Sequence, residues 1–262
     1  MLRPAHKITL RTLLPPRATI QTPLSVAHHR AAEKGFVREA RKNALSRPGS
    51  QVCSASSTQG IQPMEIEVKL RLADAEAHSL AGKLFSSGHV VTHQQENFFF
   101  DGGDKELSSR LSVLRVRFYD TDKKAVLTLK GKAIVKDGIG KASEVEEDVD
   151  PKVARTFVEQ PDELLAYESN IMKDIQSKWS VASLKGLGGF RNVRQVFKWE
   201  GFTLELDETK YDFGTLYELE CETDQPEMLR DKLEAHLNAN GVSFKYSTST
   251  KFAHFINRTL ED

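Results

Sequence analysis

Charged and aliphatic side chains alternate along several short segments of the sequence. In the first segment the charged residues occupy every second position, and they are Glu65, Glu67, Lys69 and Arg71. That spacing puts all four charges on one face of a β-strand. Lys and Arg bind phosphate oxygens, whereas carboxylates bind hard cations such as Mg²⁺ and Mn²⁺. The pattern therefore suits a ligand that combines a divalent metal ion with several phosphates.

The same alternation recurs downstream in segments that each carry mainly one sign of charge. The basic positions are Arg115, Arg117, Lys130 and Lys132, and the acidic positions are Glu144, Glu146, Asp148, Glu205, Asp207, Glu218, Glu220 and Glu222. One such strand alone is typical of the water-exposed face of an antiparallel sheet. A whole set is different, because charges that are buried without compensation are costly. The set favours a closed barrel with a wet, charged lumen and with aliphatic side chains facing outward under helices.

The elements that must position these residues are mostly strands. About eight strands are predicted from residue 65 onward, and short links such as the one at Gly201 favour antiparallel neighbours. The predicted fold class is α+β, an eight-stranded antiparallel β-barrel with flanking helices. The predicted helices cover 75–86 behind Asp74, the segment from Pro161 to about Lys178, 227–239 behind Pro226, and 249–258.

The first 63 residues have a different composition from the rest of the chain. They contain ten Lys/Arg, two acidic residues and six prolines, and they end in a Ser/Thr-rich stretch. This composition resembles an organelle transit peptide, although a disordered tail or an extended gene model with a true start at Met64 would look the same. We predict a disordered extension over 1–63 and one domain over 64–262. A transit peptide would direct the protein to the chloroplast or mitochondrion, and otherwise we expect it in the cytosol.

Composition also excludes several classes of partner. The body from residue 64 carries 27 Lys/Arg and 35 Asp/Glu, which makes it a poor non-specific binder of nucleic acid. No apolar stretch is long enough to span a membrane. Cys53 and Cys221 lie too far apart in the sequence to suggest a disulfide framework or a zinc site. We expect a monomer that binds a small-molecule triphosphate and neither nucleic acid nor membrane.

The segment Glu65-Ile66-Glu67-Val68-Lys69 resembles the ExExK signature of CYTH domains, the triphosphate tunnel metalloenzymes. The likeness to the plant tripolyphosphatase branch runs from Met64 almost to the C-terminus. ExExK alone is a weak signal, but the order and spacing of the further matches are specific. These matches are Phe99-Phe100-Asp101, Leu114-Arg115-Val116-Arg117, Leu129-Lys130, Leu187-Gly188-Gly189-Phe190, the run from Leu206 to Gly214, Tyr217-Glu218-Leu219-Glu220 and Thr250-Lys251-Phe252.

The resemblance implies a tunnel barrel that hydrolyses triphosphates with Mg²⁺ or Mn²⁺. The metal ligands it implies are Glu65, Glu67, Asp207, Glu218 and Glu220. The phosphate-binding residues it implies are Lys69, Arg115, Arg117, Lys130, Lys141, Arg194 and Lys251. The residues it implies for catalysis are Glu65, Glu67, Lys69, Glu144 and Glu146.

The sequence departs from the family pattern at one place. The branch has Gly-Ile-Ser-Arg where this chain has Gly138-Ile139-Gly140-Lys141. Lys keeps the positive charge but loses the bidentate fork of Arg. The acidic residues that follow could also slip by one position, with Glu147 in place of Glu146. The roles implied for Lys141, Glu144 and Glu146 depend on which register holds.

The expected activity is hydrolysis of inorganic tripolyphosphate to pyrophosphate and phosphate. Thiamine triphosphate and nucleoside triphosphates present the same three phosphates, so they remain alternative substrates. A nucleotidyl cyclase would bind the same group but use the ribose 3′-hydroxyl as nucleophile. A non-catalytic module that captures polyphosphate is a further alternative, although capture alone needs mainly the basic residues.

Overall fold

The computed structural model describes residues 64–261, so the predictions made for 1–63 lie outside the described residues. The described part contains the strands β1 (Met64–Leu72), β2 (His89–Gly102), β3 (Val113–Tyr119), β4 (Lys124–Lys130), β5 (Ile134–Lys136), β6 (Ile139–Val149), β7 (Leu184–Trp199), β8 (Phe202–Tyr211), β9 (Gly214–Glu222) and β10 (Phe244–Tyr246). Its α-helices are α1 (Ala75–Leu84), α2 (Pro151–Glu159), α3 (Glu163–Ala166), α4 (Asn170–Trp179), α5 (Pro226–Ala239) and α6 (Lys251–Asn257).

Eight of these strands form a closed antiparallel barrel. They follow one another in the order β1-β9-β8-β7-β2-β3-β4-β6, and pairing of β1 with β6 closes the ring. The short strands β5 and β10 add to β6 and β1 respectively. The predicted α+β fold with an eight-stranded antiparallel barrel is therefore confirmed.

The strand registers gather the charged positions on the inner face of the barrel. Lys69 lies opposite Glu220, and Arg71 lies opposite Glu218. Because directly opposed residues of an antiparallel pair share a face, the alternating charges of neighbouring strands meet in the lumen. The residues between them point outward, where Val68 and Leu70 are 0% exposed.

Helices cover the aliphatic outer face in two apolar clusters. On one side α1 and α5 pack on β1 and β7–β9, with Leu229 and Leu233 fully buried. On the other side α2, α3 and α4 pack on β3 and β4, with Phe157 and Ile175 buried. Each such side chain contributes about 1.5–3 kcal/mol on transfer from water. The barrel is therefore stabilised from outside, which leaves the lumen free to hold polar groups.

A third cluster joins α6 to the lumen. Phe252 and Phe255 of α6 pack against Phe99 of β2 and Phe190 of β7. The ring centroids of Phe99 and Phe252 are 4.8 Å apart. This contact brings the N-terminal residue of α6, Lys251, to the wall of the lumen.

The helix predictions were right at two starts and wrong at one. Helix α1 begins behind Asp74, whose side chain accepts a hydrogen bond from the Ala77 amide at 2.9 Å, and α5 begins at Pro226. The single helix predicted from Pro161 to Lys178 is wrong, because the chain forms α3 and α4 with an extended Ser169 between them. Helix α2 was missed although Asp150 and Pro151 give it the same start signal. None of the helices in residues 64–261 has the length and apolar character needed to cross a membrane.

Candidate active site

The lumen holds a cavity of about 1110 Å³ whose wall is rich in both acidic and basic side chains. These side chains come from seven of the barrel strands and from α6. The ionisable residues at the wall are Glu65, Glu67, Lys69, Arg115, Arg117, Lys130, Lys132, Lys141, Glu144, Glu146, Arg194, Glu205, Glu220, Glu222, Asp224 and Lys251. All of the site residues predicted from the sequence reach this wall except Asp207 and Glu218.

Three carboxyl groups meet at one part of the wall. Glu65 shares hydrogen bonds with both Glu144 and Glu222. Lys130 also binds here, with its ammonium nitrogen 2.8 Å from Glu65 Oε2 and 2.5 Å from Glu144 Oε2. Glu222 was not assigned to the site from the sequence, although it continues the alternation of Glu218 and Glu220 by one step.

The crowding of these three carboxyl groups changes their proton affinity. Burial and the contact with Glu65 raise the pKa of Glu144 to about 8. The hydrogen bond with Glu65, together with burial, raises the pKa of Glu222 to about 7. Although burial opposes it, the bonds to Glu144, Lys130 and Glu222 lower the pKa of Glu65 to about 2. The cluster thus holds protons at neutral pH.

The donor set of this cluster fits a hard divalent cation. Carboxylate oxygens are the ligands that Mg²⁺ and Mn²⁺ prefer, and a 2+ ion would offset the repulsion that now keeps Glu144 and Glu222 protonated. As the side chains stand, no group of three or more His, Cys, Asp or Glu within residues 64–261 is arranged to hold a metal ion. The oxygens of Glu65 and Glu144 are instead engaged with Lys130 and with each other.

A second part of the wall is a dense network of ion pairs. Lys251 Nζ lies 2.5 Å from Glu220 Oε1 and 3.0 Å from Asp207 Oδ2. Arg194 Nη2 lies 2.6 Å from Asp207 Oδ2 and 2.9 Å from Glu220 Oε2, and Lys69 also binds Glu220. Although burial opposes it, Lys251, Lys69 and Arg194 hold the pKa of Glu220 well below its ordinary value. These cations are therefore positioned by carboxylates, and their charge is largely compensated.

The structure places Asp207 and Glu218 behind the wall and not on it. Both are 0% exposed. Glu218 Oε2 lies 2.9 Å from Lys251 Nζ, and its other oxygen accepts a hydrogen bond from Ser247 at 3.0 Å. Asp207 pairs with Arg194 and Lys251. The contacts of both residues are those of counter-ions for lumen cations, and their assignment as metal ligands stays a prediction.

Arg115 and Arg117 share the lumen face of β3. Arg115 Nη2 donates to Thr128 at 3.0 Å and lies 3.5 Å from Glu144 and 3.3 Å from Glu146. Burial and the nearby charge of Arg117 lower the pKa of Arg115 to about 10. The two guanidinium groups therefore repel each other in the free protein, and an anion between them would relieve that repulsion.

The register of β6 settles where the residues of the divergent segment point. Glu146 lies in the lumen beside Arg115. Glu147 points outward and accepts a hydrogen bond from the Ile171 amide at 3.0 Å. Lys141 is exposed and opposes Ile66 on the face opposite to Glu65, so it reaches the cavity only at its rim. The structure thus brings Glu146 into the site and leaves Lys141 at the edge.

A closed antiparallel barrel with oppositely charged groups along its lumen defines a tunnel protein built around a highly charged small ligand. The comparisons with known proteins agree with this class. The family model for the CYTH domain matches residues 63–256, and the chain belongs to the CYTH domain family.

Solved structures similar to this chain include HpAC1 from Hippeastrum, a candidate adenylyl cyclase with a dominant triphosphatase activity. It shares 42% identity with this chain, the match covers 75% of this chain and 97% of HpAC1, and the TM-score is 0.73. A candidate adenylate cyclase from Bacillus halodurans is 22% identical, with 73% and 98% of the two chains covered and a TM-score of 0.57. PH1819 from Pyrococcus horikoshii is 21% identical, with 74% and 99% covered and a TM-score of 0.52.

The last two likenesses show the fold alone. The comparison with curated protein sequences gave no match.

Proposed function

We propose that this protein is a metal-dependent triphosphatase that hydrolyses inorganic tripolyphosphate to pyrophosphate and phosphate inside its tunnel. The observation that carries the proposal is the carboxyl cluster of Glu65, Glu144 and Glu222, which adjoins Arg115 within one cavity. Membership of the CYTH family and the triphosphatase activity of HpAC1 support the same reaction class.

The basic residues of the wall would bind the phosphate chain. Guanidinium and ammonium groups neutralise phosphate oxygens, and a buried site makes that attraction stronger than in water. Lys69, Arg194 and Lys251 are held by carboxylates in one network, and Arg115 and Arg117 lie on β3. Together they would fix the chain along the lumen, because phosphoryl transfer depends mainly on positioning and on charge stabilisation.

The acidic residues would serve the metal ion and the attacking water. Glu65, Glu67, Glu144 and Glu222 offer the carboxylate oxygens for Mg²⁺ or Mn²⁺, and a bound cation supplies charge neutralisation at phosphate oxygens. Glu144 or Glu146 would orient a water molecule toward the terminal phosphorus and take its proton. The water oxygen forms the new bond to phosphorus, the bridging P–O bond breaks, and pyrophosphate leaves with the electron pair.

The lining of the cavity favours an inorganic chain over an organic triphosphate. Ionisable side chains make up much of the wall, and the aromatic residues that reach it are already engaged. Phe99 and Phe252 pack on each other at 4.8 Å, and Phe190 packs on Tyr211 at 5.0 Å. These rings are therefore committed to packing α6 on the barrel and are not free to stack on a base or a thiamine ring.

Cyclase activity is the second candidate, because HpAC1 and the Bacillus halodurans protein are both described as candidate adenylate cyclases. It requires the ribose 3′-hydroxyl of ATP to attack the α-phosphorus and pyrophosphate to leave. Product analysis separates this reaction from hydrolysis, since only the cyclase yields a cyclic nucleotide.

The test is phosphate release by the purified full-length chain. The substrates are tripolyphosphate, ATP and thiamine triphosphate, each with Mg²⁺, Mn²⁺ or EDTA. We expect fast metal-dependent release from tripolyphosphate and slow release from the other two. Comparable or faster release from ATP or thiamine triphosphate would refute the substrate assignment. Binding without release from any of the three would refute hydrolysis and favour capture.

A further inference from the structure

Arg117 differs from the other basic side chains that lie within the lumen. Every other such residue is within 4.0 Å of a carboxylate, and these residues are Lys69, Arg115, Lys130, Arg194 and Lys251. Arg117 makes no ion pair with any residue between 64 and 261. The two other unpaired cations of the wall, Lys132 and Lys141, are exposed at its rim.

Neutral groups hold the Arg117 guanidinium in place. Its Nε donates to Asn97 Oδ1 at 2.8 Å, and its Nη1 donates to the Tyr119 hydroxyl at 3.4 Å. Asn97 is 1% exposed, and its own amide nitrogen donates to the Phe190 carbonyl at 3.5 Å. Strand β7 approaches very closely here, since a Cβ added at Gly189 would lie 1.8 Å from the Asn97 carbonyl oxygen. The amide that orients Arg117 is thus itself fixed from two sides.

We infer that Asn97 is a positioning residue for phosphate binding, because it orients Arg117 while leaving the charge of the guanidinium uncompensated. This inference rests on the proposed function. At Lys69, Arg194 or Lys251 an entering phosphate has to compete with carboxylates that already bind the cation. At Arg117 it meets a cation whose only partners are an amide oxygen and a hydroxyl, and such neutral hydrogen bonds are weaker than charge-assisted ones.

Asn97 suits this task better than Asp, although the two side chains have the same shape. An aspartate at position 97 would form a buried, charge-assisted pair with Arg117, and breaking it would strand a carboxylate. The pair would also remove the repulsion between Arg115 and Arg117, which favours an anion between them. A single isosteric substitution therefore tests whether the neutrality of residue 97 matters.

The experiment compares Asn97→Asp with Asn192→Asp in the full-length chain. Asn192 is also buried on the lumen face, but it bonds to Gln95 and Thr209 and not to Arg117. Tripolyphosphate binding is measured by calorimetry in EDTA, followed by kcat and KM with Mg²⁺. We expect Asn97→Asp to weaken binding about tenfold or more, with KM rising more than kcat falls, and Asn192→Asp to stay within about threefold of wild type.

A second variant keeps the inference testable if Asn97→Asp fails to fold. Asn97→Ala removes the acceptor without adding charge, so we expect a smaller loss of affinity than in Asn97→Asp. In an Arg117→Ala background the same substitution should have no further effect on binding, whereas a merely structural role would persist there.

The inference is overturned if Asn97→Asp binds tripolyphosphate as wild type does. It is also overturned if Asn97→Ala costs as much affinity without Arg117 as with it. A wild-type chain that neither binds nor hydrolyses tripolyphosphate would refute the proposed function, and the inference with it.

Discussion

Lys130 bridges Glu65 and Glu144, with its ammonium nitrogen 2.8 Å from one carboxylate and 2.5 Å from the other. Glu65 lies on β1 and Glu144 on β6, the two strands whose pairing closes the barrel. Lys130 comes from β4 on the far side of β6. The place where the barrel closes is therefore also the place where the carboxyl groups of the candidate site converge.

Removing Lys130 should have a much larger effect on activity than removing Lys141. Lys130 binds two carboxylates in the lumen, whereas Lys141 is exposed at the rim. We expect Lys130→Ala to reduce kcat/KM for tripolyphosphate by about 100-fold, the cost of one lost charge-assisted contact in a buried site. Lys141→Ala should stay within about threefold of wild type. A severe loss in Lys141→Ala would restore this residue to the phosphate-binding set.

Glu67→Gln and Arg117→Ala should abolish turnover while leaving the fold largely intact. Both side chains line the cavity, and neither belongs to the apolar clusters that stabilise the barrel from outside. Phosphate release reports the loss of activity, and thermal unfolding followed by circular dichroism reports the fold. A fully active variant would exclude the role proposed for that residue.

Stability of the metal-free protein should fall as the pH rises toward 8. The pKa of Glu144 is raised to about 8 and that of Glu222 to about 7, against an ordinary value of 4.5. Between about pH 5 and 8 the folded state therefore binds more protons than the unfolded chain, so the free energy of unfolding falls with pH. The lowered pKa of Glu65 acts in the opposite direction, but only below about pH 5.

Urea unfolding in EDTA at pH 5.5, 6.5 and 7.5 measures this dependence. Glu144→Gln cannot ionise at that position, so its stability should change less over the same range. An identical slope in wild type and Glu144→Gln would show that Glu144 does not hold the proton.

Gly189→Ala should destabilise the barrel, and Gly186→Ala on the same strand should not. A Cβ at Gly189 would lie 1.8 Å from the Asn97 carbonyl oxygen, which is backbone and cannot move aside cheaply. At Gly186 the nearest atom to an added Cβ, Pro161 Cγ, is 3.8 Å away. We expect a loss of about 1–3 kcal/mol or more for Gly189→Ala and less than about 1 kcal/mol for Gly186→Ala by urea unfolding. Equal stability of the two variants would contradict the close approach of β2 and β7.

The barrel and its charged lumen were predictable from the sequence because period-two alternation reports the face of a strand directly. The same signal says nothing about depth along the barrel axis. Asp207 and Glu218 do face inward, yet they lie buried beneath Arg194 and Lys251, while Glu222 reaches the cavity wall two residues beyond Glu220. Depth depends on strand stagger, which only the cross-strand pairing reveals.

Other features left no usable trace in the sequence. Asn97 is neutral and stands beside a run of aromatic residues, so nothing marks it as a partner of Arg117 until the register of β2 and β3 is known. The helix predicted from Pro161 fails at Ser169, whose hydroxyl caps α4 by accepting from the Met172 amide at 3.2 Å. A capping serine inside an apolar period reads equally well as an ordinary helical residue.

The pairing of β1 with both β6 and β9 has a consequence for how the protein is made. β1 is the first strand of the body, but Lys69 finds Glu220 only after 151 further residues, and Lys251 comes later still. During synthesis β1 therefore leaves the ribosome long before its partners, with both of its edges open. No amino-terminal fragment that ends before Lys251 can assemble the complete site. The appearance of activity would thus mark the moment at which the whole chain has folded.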